Sequence, residues 1–371
     1  LRFSAPLDRP PAQVSFTVLA AGDILTHEAV NNAAWTGSGW DYSAEFEPLD
    51  PWIQGADLAL CHMEVPITPS GQPTGFPMFG APANLVTDLA EQGWNGCSTA
   101  SNHSIDKRTE GLVLTLDLFD EVGMGHVGTA RTEVEAASPQ FYEITREGVV
   151  IRVAHLSATY GLNGLIPDTS WRVQLIDTDQ IIAQATAARE QGADIVLVSL
   201  HGWVEYRTEP STHQVEIATA LADSGVVDLV IGHHAHVPQP FAMLPGGPTG
   251  NGMWVAYGLG NFISAQSAQC CAPQTEAGLL MIATFTKPYN GPAEITAMEW
   301  SAVTTDRGDA YRTYSLSELH ANGSSTGSVS ADTLAIRWNR VNEAVAGTAI
   351  ERVTPPVPTG DEPVVVVPRP Q

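Results

Sequence analysis

Lysine is nearly missing from this chain: Lys107 and Lys287 are the only two in 371 residues. Basic residues number 17 against 41 acidic ones, for a net charge of -24. That balance repels nucleic-acid phosphates and anionic headgroups, so nucleic acid is excluded as the default partner. Long apolar runs are also missing. Nothing approaches the roughly 18 uninterrupted apolar residues of a membrane helix, so no transmembrane segment is expected and the chain reads as soluble. Cysteine is sparse, with Cys61, Cys97 and the adjacent Cys270 and Cys271, and no CxxC motif. A thiolate zinc site is therefore not expected. An even count leaves disulfides open: Cys61–Cys97 if their strands lie side by side, and Cys270–Cys271 within a loop, against free thiols.

What is present is enough apolar material for a large core: 43% hydrophobic and only 16% charged residues exclude a disordered chain. At about 150 residues per domain the length suggests two domains or one large one. Residues 1–13 read as an N-terminal extension without a signal-peptide core. Residues 14–350 read as one domain, and 351–371 as a proline-rich extended tail with no core of its own. A leading Leu, little lysine and high acidity suggest an exported or cell-surface protein whose leader has been removed.

Short apolar runs alternate with amphipathic stretches over residues 14–235, the pattern of a layered α/β domain. Strands are expected at Val14–Ala21, Asp57–Val65, Asn95–Ser101, Ile195–Leu200 and Leu229–Ile231, with a hairpin over Phe141–Ser157. Helices are expected at Ala83–Gln92, Thr109–Val122, Asp179–Glu190, Thr212–Asp223 and Ala331–Val345. Beyond residue 240 the chain turns β-rich, which argues for two packed sheets.

Ten of the eleven histidines fall between His27 and His236. Several follow the C-terminal end of an expected strand, where open α/β sheets place ligands. In chain order these segments are Gly22–His27, Cys61–Glu64, Ser101–His103, Leu200–Tyr206 and Gly232–His236. Each offers imidazole, carboxylate or amide oxygen, a donor set that suits zinc, manganese or iron. Two such ions about 3.5–4 Å apart can activate a water and clamp the oxygens of a displacement. Gly-Asp or Asn-His alone is weak; the five segments together are not accidental. His126, His155, His213 and His320 lie outside them and read as ordinary core or surface histidines.

On these motifs the chain resembles the CapA family of bacterial capsule and poly-γ-glutamate synthesis proteins, a branch of the calcineurin-like metallophosphoesterases. The matching stretches are GDILTH (22–27), CHMEVPIT (61–68), ASNHSID (100–106), TYGLNG (159–164), SLHGWVEY (199–206), DLVIGHHAHVPQP (228–240) and YGLGNF (257–262). The resemblance implies a four-layer α/β/β/α sandwich of the metallo-dependent phosphatase type with a two-ion site at one edge. It implies that Asp23 and His236 hold one ion, with His27 as a further ligand, and that Asn102, His201 and His234 hold the second. Glu64 would bridge them and His103 would be the catalytic proton donor. The wider superfamily carries a histidine two residues after its aspartate, where this chain has Leu25, so one ion or none is the alternative to two. His62 stands where relatives often carry asparagine.

His62, His233, Glu205, Tyr206 and Asn261 are expected to touch substrate or support the ligands. Lys107, Arg108 and Arg207 are three basic residues beside the expected site that could draw in carboxylates or phosphates. Three functions follow. The first is a metal-dependent hydrolase or transferase acting on poly-γ-glutamate or a related anionic polymer. The second is a polymer-binding or anchoring subunit of a capsule machine with membrane partners. The third is a metal-independent acid/base epimerase of peptides.

Overall fold

The structure, a computed structural model, describes residues 13–345 and 347–371. The expected extension 1–13 thus lies outside the described residues except for Gln13. The first strands are β1 (Gln13–Ile24), β2 (Leu58–Met63), β3 (Gly96–Ser98) and β4 (Gly125–Val127). Then come β5 (Gln140–Arg146), β6 (Val149–Thr159), β7 (Ile195–His201), β8 (Leu229–His233), β9 (Phe241–Leu244) and β10 (Met253–Ala256). The last are β11 (Asn261–Ile263), β12 (Ala277–Pro288), β13 (Glu294–Asp306), β14 (Arg312–Ser315), β15 (Ile350–Glu351) and β16 (Val365–Val367). One sheet runs β14-β13-β12-β1-β2-β3-β4, with β11 beside β1 and β15 beside β13; the other runs β16-β5-β6-β7-β8-β10-β9.

Strand side chains alternate between faces, and that alternation sorts the core into layers. Phe16, Val18, Leu58 and Leu60 of the first sheet meet Ile151, Val153, Ile195, Leu197, Leu229 and Ile231 of the second in one buried cluster. The intervening Leu19, Ala21, Ala59 and Cys61 face outward onto Trp52, Leu85, Leu89 and Phe119. Val196, Val198 and Leu200 likewise face Ile181, Ala185, Ile217 and Leu221. The helices carrying those residues form the outer layers, completing α/β/β/α. The helix Thr212–Asp223 opens with a capping box, Ser211 and Gln214 each bonding the other's backbone. No helix among the described residues is long and apolar enough to cross a membrane.

The same alternation carries polar groups inward at one end. Leu58 and Leu60 continue in phase to His62 and Glu64, Ile195 and Leu197 to Ser199 and His201, Ile231 to His233, and Val153 to His155. β1 reaches this row by a register shift against β2 between Ala20 and Asp23. The shift is a bulge-type irregularity that reverses the inward parity and turns Asp23 toward the second sheet. Gly22 sits at the shift because a Cβ there would meet the Gly260 carbonyl oxygen at 2.1 Å.

One feature differs from the sequence expectation, and a second answers a pairing that the sequence left open. The proline-rich tail runs extended, but β16 adds to the second sheet antiparallel to β5. Thr359 donates its N–H to Asp57 at 2.7 Å, and the buried Arg369 guanidinium binds the carbonyls of His126, Thr129 and Glu135. The Val364–Val367 run supplies the apolar strand that lets the tail dock. Cys61 and Cys97 are register partners on β2 and β3 and form a disulfide, as do Cys270 and Cys271.

Candidate metal centre

At the polar end of the inter-sheet space six of the seven expected ligands come together, all but His27. Glu64, 1% exposed, lies 3.8 Å through Oε1 from both His201 Nε2 and His236 Nε2. His201 Nε2 is 2.7 Å from Asn102 Oδ1. The Asn102 amide is oriented by its Nδ2 donating to Asn163 Oδ1 at 3.3 Å. The His234 ring lies 4.7 Å from that of His201 and 5.8 Å from that of His236. Asp23 accepts from the His234 backbone N–H at 3.1 Å and lies 3.1 Å from His236 Nδ1 and 3.3 Å from His233 Nδ1.

Burial sets the electrostatics. Desolvation alone would raise the Asp23 carboxyl, but the neighbouring His233 and His236 imidazoles hold it well below the usual range. Burial pushes Glu64 up to about 7 against the pull of His236. Burial lowers His236, but Glu64 and Asp23 outweigh it and raise the imidazole to about 9. His234 falls to about 3 through burial and the neighbouring His236 charge.

Both Glu64 oxygens, Asp23 Oδ1, His233 Nδ1 and His234 Nδ1 are buried without a hydrogen-bond partner. Buried polar atoms left like this are costly unless something compensates them. Glu64, His234 and His236 present ligand atoms within 4.8 Å of one another, and so do Asp23, His62 and His233. The first set fits a divalent cation, with His201 and Asn102 alongside. The second does not, because both His62 nitrogens are committed, one to Ser98 Oγ at 2.7 Å and the other to His201 Nδ1 at 2.9 Å. The His62 ring also stacks on His233 at 4.0 Å. These groups divide differently from the expected Asp23–His236 and Asn102–His201–His234 sets, because His236 turns Nδ1 to Asp23 and Nε2 to Glu64.

The remaining expected residues separate. His103 Nδ1 donates to Asp106 Oδ2 at 2.7 Å, and its ring meets the edge of Phe79 at 4.7 Å. Asn261 Oδ1 faces His236 Nδ1 at 3.1 Å, and its amide nitrogen donates to Gln266 Oε1 and the Thr275 carbonyl. Glu205 stands 3.9 Å from His236 Nε2, and the Tyr206 ring 6.2 Å from that imidazole. His27 is not in either ligand group: its Nδ1 lies 3.1 Å from the Leu25 carbonyl, and its ring packs on Phe79. The Lys107 ammonium donates to the Met78 carbonyl at 2.9 Å and so ties down the 66–82 loop. Arg108 and Arg207 are exposed and make no ion pair among the described residues. Tyr160, whose ring sits 4.6 Å from His234, was missed, as were Asn163 and Asp106. All three lie within the TYGLNG and ASNHSID stretches, so the signal was in the sequence.

Residues 17–266 match the family model of the bacterial capsule synthesis protein PGA_cap. The chain belongs to this family. It is 26% identical over 227 residues to the PGA biosynthesis protein CapA of Bacillus subtilis (strain 168), covering 60% of this chain and 57% of that protein. It is also 26% identical over 260 residues to the capsule biosynthesis protein CapA of Bacillus anthracis, covering 67% and 60%. This PGA_cap chain thus spans somewhat under two thirds of the length of these relatives. Among solved structures it is similar to the calcineurin-like phosphoesterase YfkN from Bacillus subtilis, with TM-score 0.47 and 12% identity over 89% of this chain and 97% of that one. It is also similar to the NAD nucleotidase NadN of Haemophilus influenzae, with TM-score 0.48 and 14% identity over 90% and 61%.

Proposed function

We propose that this PGA_cap protein is an exported, metal-dependent hydrolase or transferase that cleaves amide bonds of an anionic capsule polymer of the poly-γ-glutamate type. The observation that carries the reading is Glu64: a fully buried carboxylate with two unpartnered oxygens, set among His201, His234 and His236. Glu64, His234 and His236 would hold a divalent cation, with Asn102 and His201 on one side and Asp23 on the other offering room for a second. Manganese, zinc or iron suits this mixed imidazole and oxygen set. Bound there, such ions would supply Lewis acidity toward the attacking water and the carbonyl oxygen of the amide being cut.

The chain's own groups do the rest. Asp106 holds His103 by Nδ1, which leaves Nε2 to carry a proton to the departing amide nitrogen as the C–N bond breaks. Asn163 keeps the Asn102 oxygen turned inward, and Asn261 fixes the His236 tautomer. Arg108 and Arg207, exposed and unpaired among the described residues, are available to substrate carboxylates. The two disulfides favour an oxidising compartment outside the cytoplasm.

The test is elemental analysis of the purified protein before and after chelation, followed by assays on γ-glutamyl peptides and model phosphodiesters with manganese or zinc. Bound metal and cleavage of γ-glutamyl amides are expected. Metal-replete protein that turns over none of these would refute the reading and favour a polymer-binding role. Deuterium uptake from heavy water without net cleavage would favour epimerisation.

A further inference from the structure

A second concavity lies away from the histidines. It is a groove of about 710 Å³ between the short helix Glu133–Ala136, the segment 170–177 and the helix Thr178–Glu190. Its lining includes the indole of Trp171, the amides of Gln174, Gln180 and Gln184, and the hydroxyl of Ser170. Gln180 and Gln184 are one helical turn apart and so share a face. The side chains of Gln180 and Ser170 and the Trp171 indole N–H make no hydrogen bond among the described residues, so their capacity is open to a ligand. The Arg172 guanidinium covers one face of Trp171 at 4.4 Å from the ring centroid and fixes the indole.

No lysine or arginine lines the groove, whereas Glu133 and Asp177 do. The nearby Arg369 is spent on the carbonyls named above. A polyanion is therefore repelled here, in contrast to the neighbourhood of Arg108 and Arg207. An aromatic wall beside neutral amides and a hydroxyl matches a ligand with apolar ring faces and a rim of hydroxyls.

We infer that this groove binds the uncharged sugar units of a glycan. Its inner wall is joined through the backbone to the segment that carries Tyr160. The Gln174 carbonyl accepts from Thr159 N–H and the Thr159 carbonyl from Ile176 N–H, each at 2.9 Å, and the next residue, Tyr160, packs on His234.

The inference stands apart from the proposed chemistry, and its test needs no turnover. The full chain is titrated with maltohexaose and with the N-acetylglucosamine tetramer, read by calorimetry and tryptophan fluorescence. Saturable binding of at least one saccharide is expected, weakened tenfold or more by Trp171→Ala and by Gln180→Leu. The exposed Gln180 position guards against misfolding as the cause of a loss. Metal uptake by both variants should match the parent, and a poly-γ-glutamate oligomer should not compete. Absence of binding by both saccharides, full affinity in both variants, or displacement by poly-γ-glutamate would each overturn the inference. Tight binding of an uncharged peptide with no saccharide binding would overturn it in favour of a peptide groove.

Discussion

Replacing His62 with Phe isolates how one imidazole prepares another for a metal. His62 Nε2 lies 2.9 Å from His201 Nδ1, and both rings are wholly buried, so no water can substitute. That contact decides which His201 nitrogen keeps its lone pair for the Glu64 side of the site. A ligating histidine that loses such a partner typically loses 10- to 100-fold in metal affinity, about 1.4–2.7 kcal/mol. Phe preserves the stack on His233 at 4.0 Å, so the ring's packing survives while its nitrogens do not. Ser98 keeps a second acceptor in the Cys61 carbonyl at 3.5 Å, which limits the collateral cost. Calorimetric titration of the stripped protein with manganese or zinc measures the effect, and circular dichroism confirms the fold. His62→Asn, with an amide that can still reach a neighbour, should recover part of the loss. A Kd within twofold of the parent for H62F in a folded protein would refute the positioning role.

Other perturbations separate chemistry from stability. His103→Gln should slow any cleavage by about 10²- to 10⁴-fold while metal content stays constant; loss of metal along with activity would make His103 a ligand instead. Glu45 is 1% exposed, and burial raises its carboxyl from the ordinary 4.5 to about 7. The folded state therefore holds a proton that the unfolded chain releases between those values, and stability falls as pH rises through that window. Glu45→Gln removes the penalty and should stabilise the protein by about 1–3 kcal/mol above pH 7, with the gain fading below pH 4.5; a gain independent of pH would contradict this. Arg369→Ala leaves the carbonyls of His126, Thr129 and Glu135 without their buried donor, while the Glu135 carboxylate keeps Arg131 at 2.6 Å, and should cost about 1–3 kcal/mol in denaturant titration. A loss under about 1 kcal/mol would mean the tail is not anchored there.

Much of the site was legible because strand alternation is strict. On β2 the spacing Leu58, Leu60, His62, Glu64 puts apolar and ligating side chains on one face, so finding the strand also finds the ligand side. Asp23 was found by its motif and not by its phase. Simple alternation from Leu19 and Ala21 would turn it outward, and only the register shift after Ala20 brings it in. Such a shift depends on the neighbouring strand and on the close approach of Gly260, neither of which is local. The His62–His201 contact spans 139 residues and was likewise invisible. Lys107 shows a contact of the same non-local kind. It is four residues from His103 in sequence, yet the loop beneath it offers the Met78 carbonyl, and the ammonium goes there. The tail was read by its prolines, which disfavour a central strand, but an edge position like that of β16 tolerates such flanks.

The centre also departs from what folding alone would select. His234 and His236 both hold left-handed backbone, with φ of 81° and 56°, and Trp203 and Tyr206 do the same at 84° and 63°. Each such residue costs on the order of 1–3 kcal/mol relative to relaxed backbone, and glycine would adopt these angles without a steric penalty. The Glu64 carboxylate adds desolvation that its histidine neighbours only partly offset. These costs fall at one end of the inter-sheet layer, beyond the point where Leu58, Leu60, Ile195, Leu197, Leu229 and Ile231 form the apolar seam. The seam fixes the separation and register of the sheets, so the polar end need not stabilise the fold and can keep groups that a bound cation would satisfy. On that reasoning, mutations that loosen the seam should scatter the ligands before they unfold the protein. Mutations that merely relieve strain at His234 or His236 should stabilise the chain at the expense of its metal.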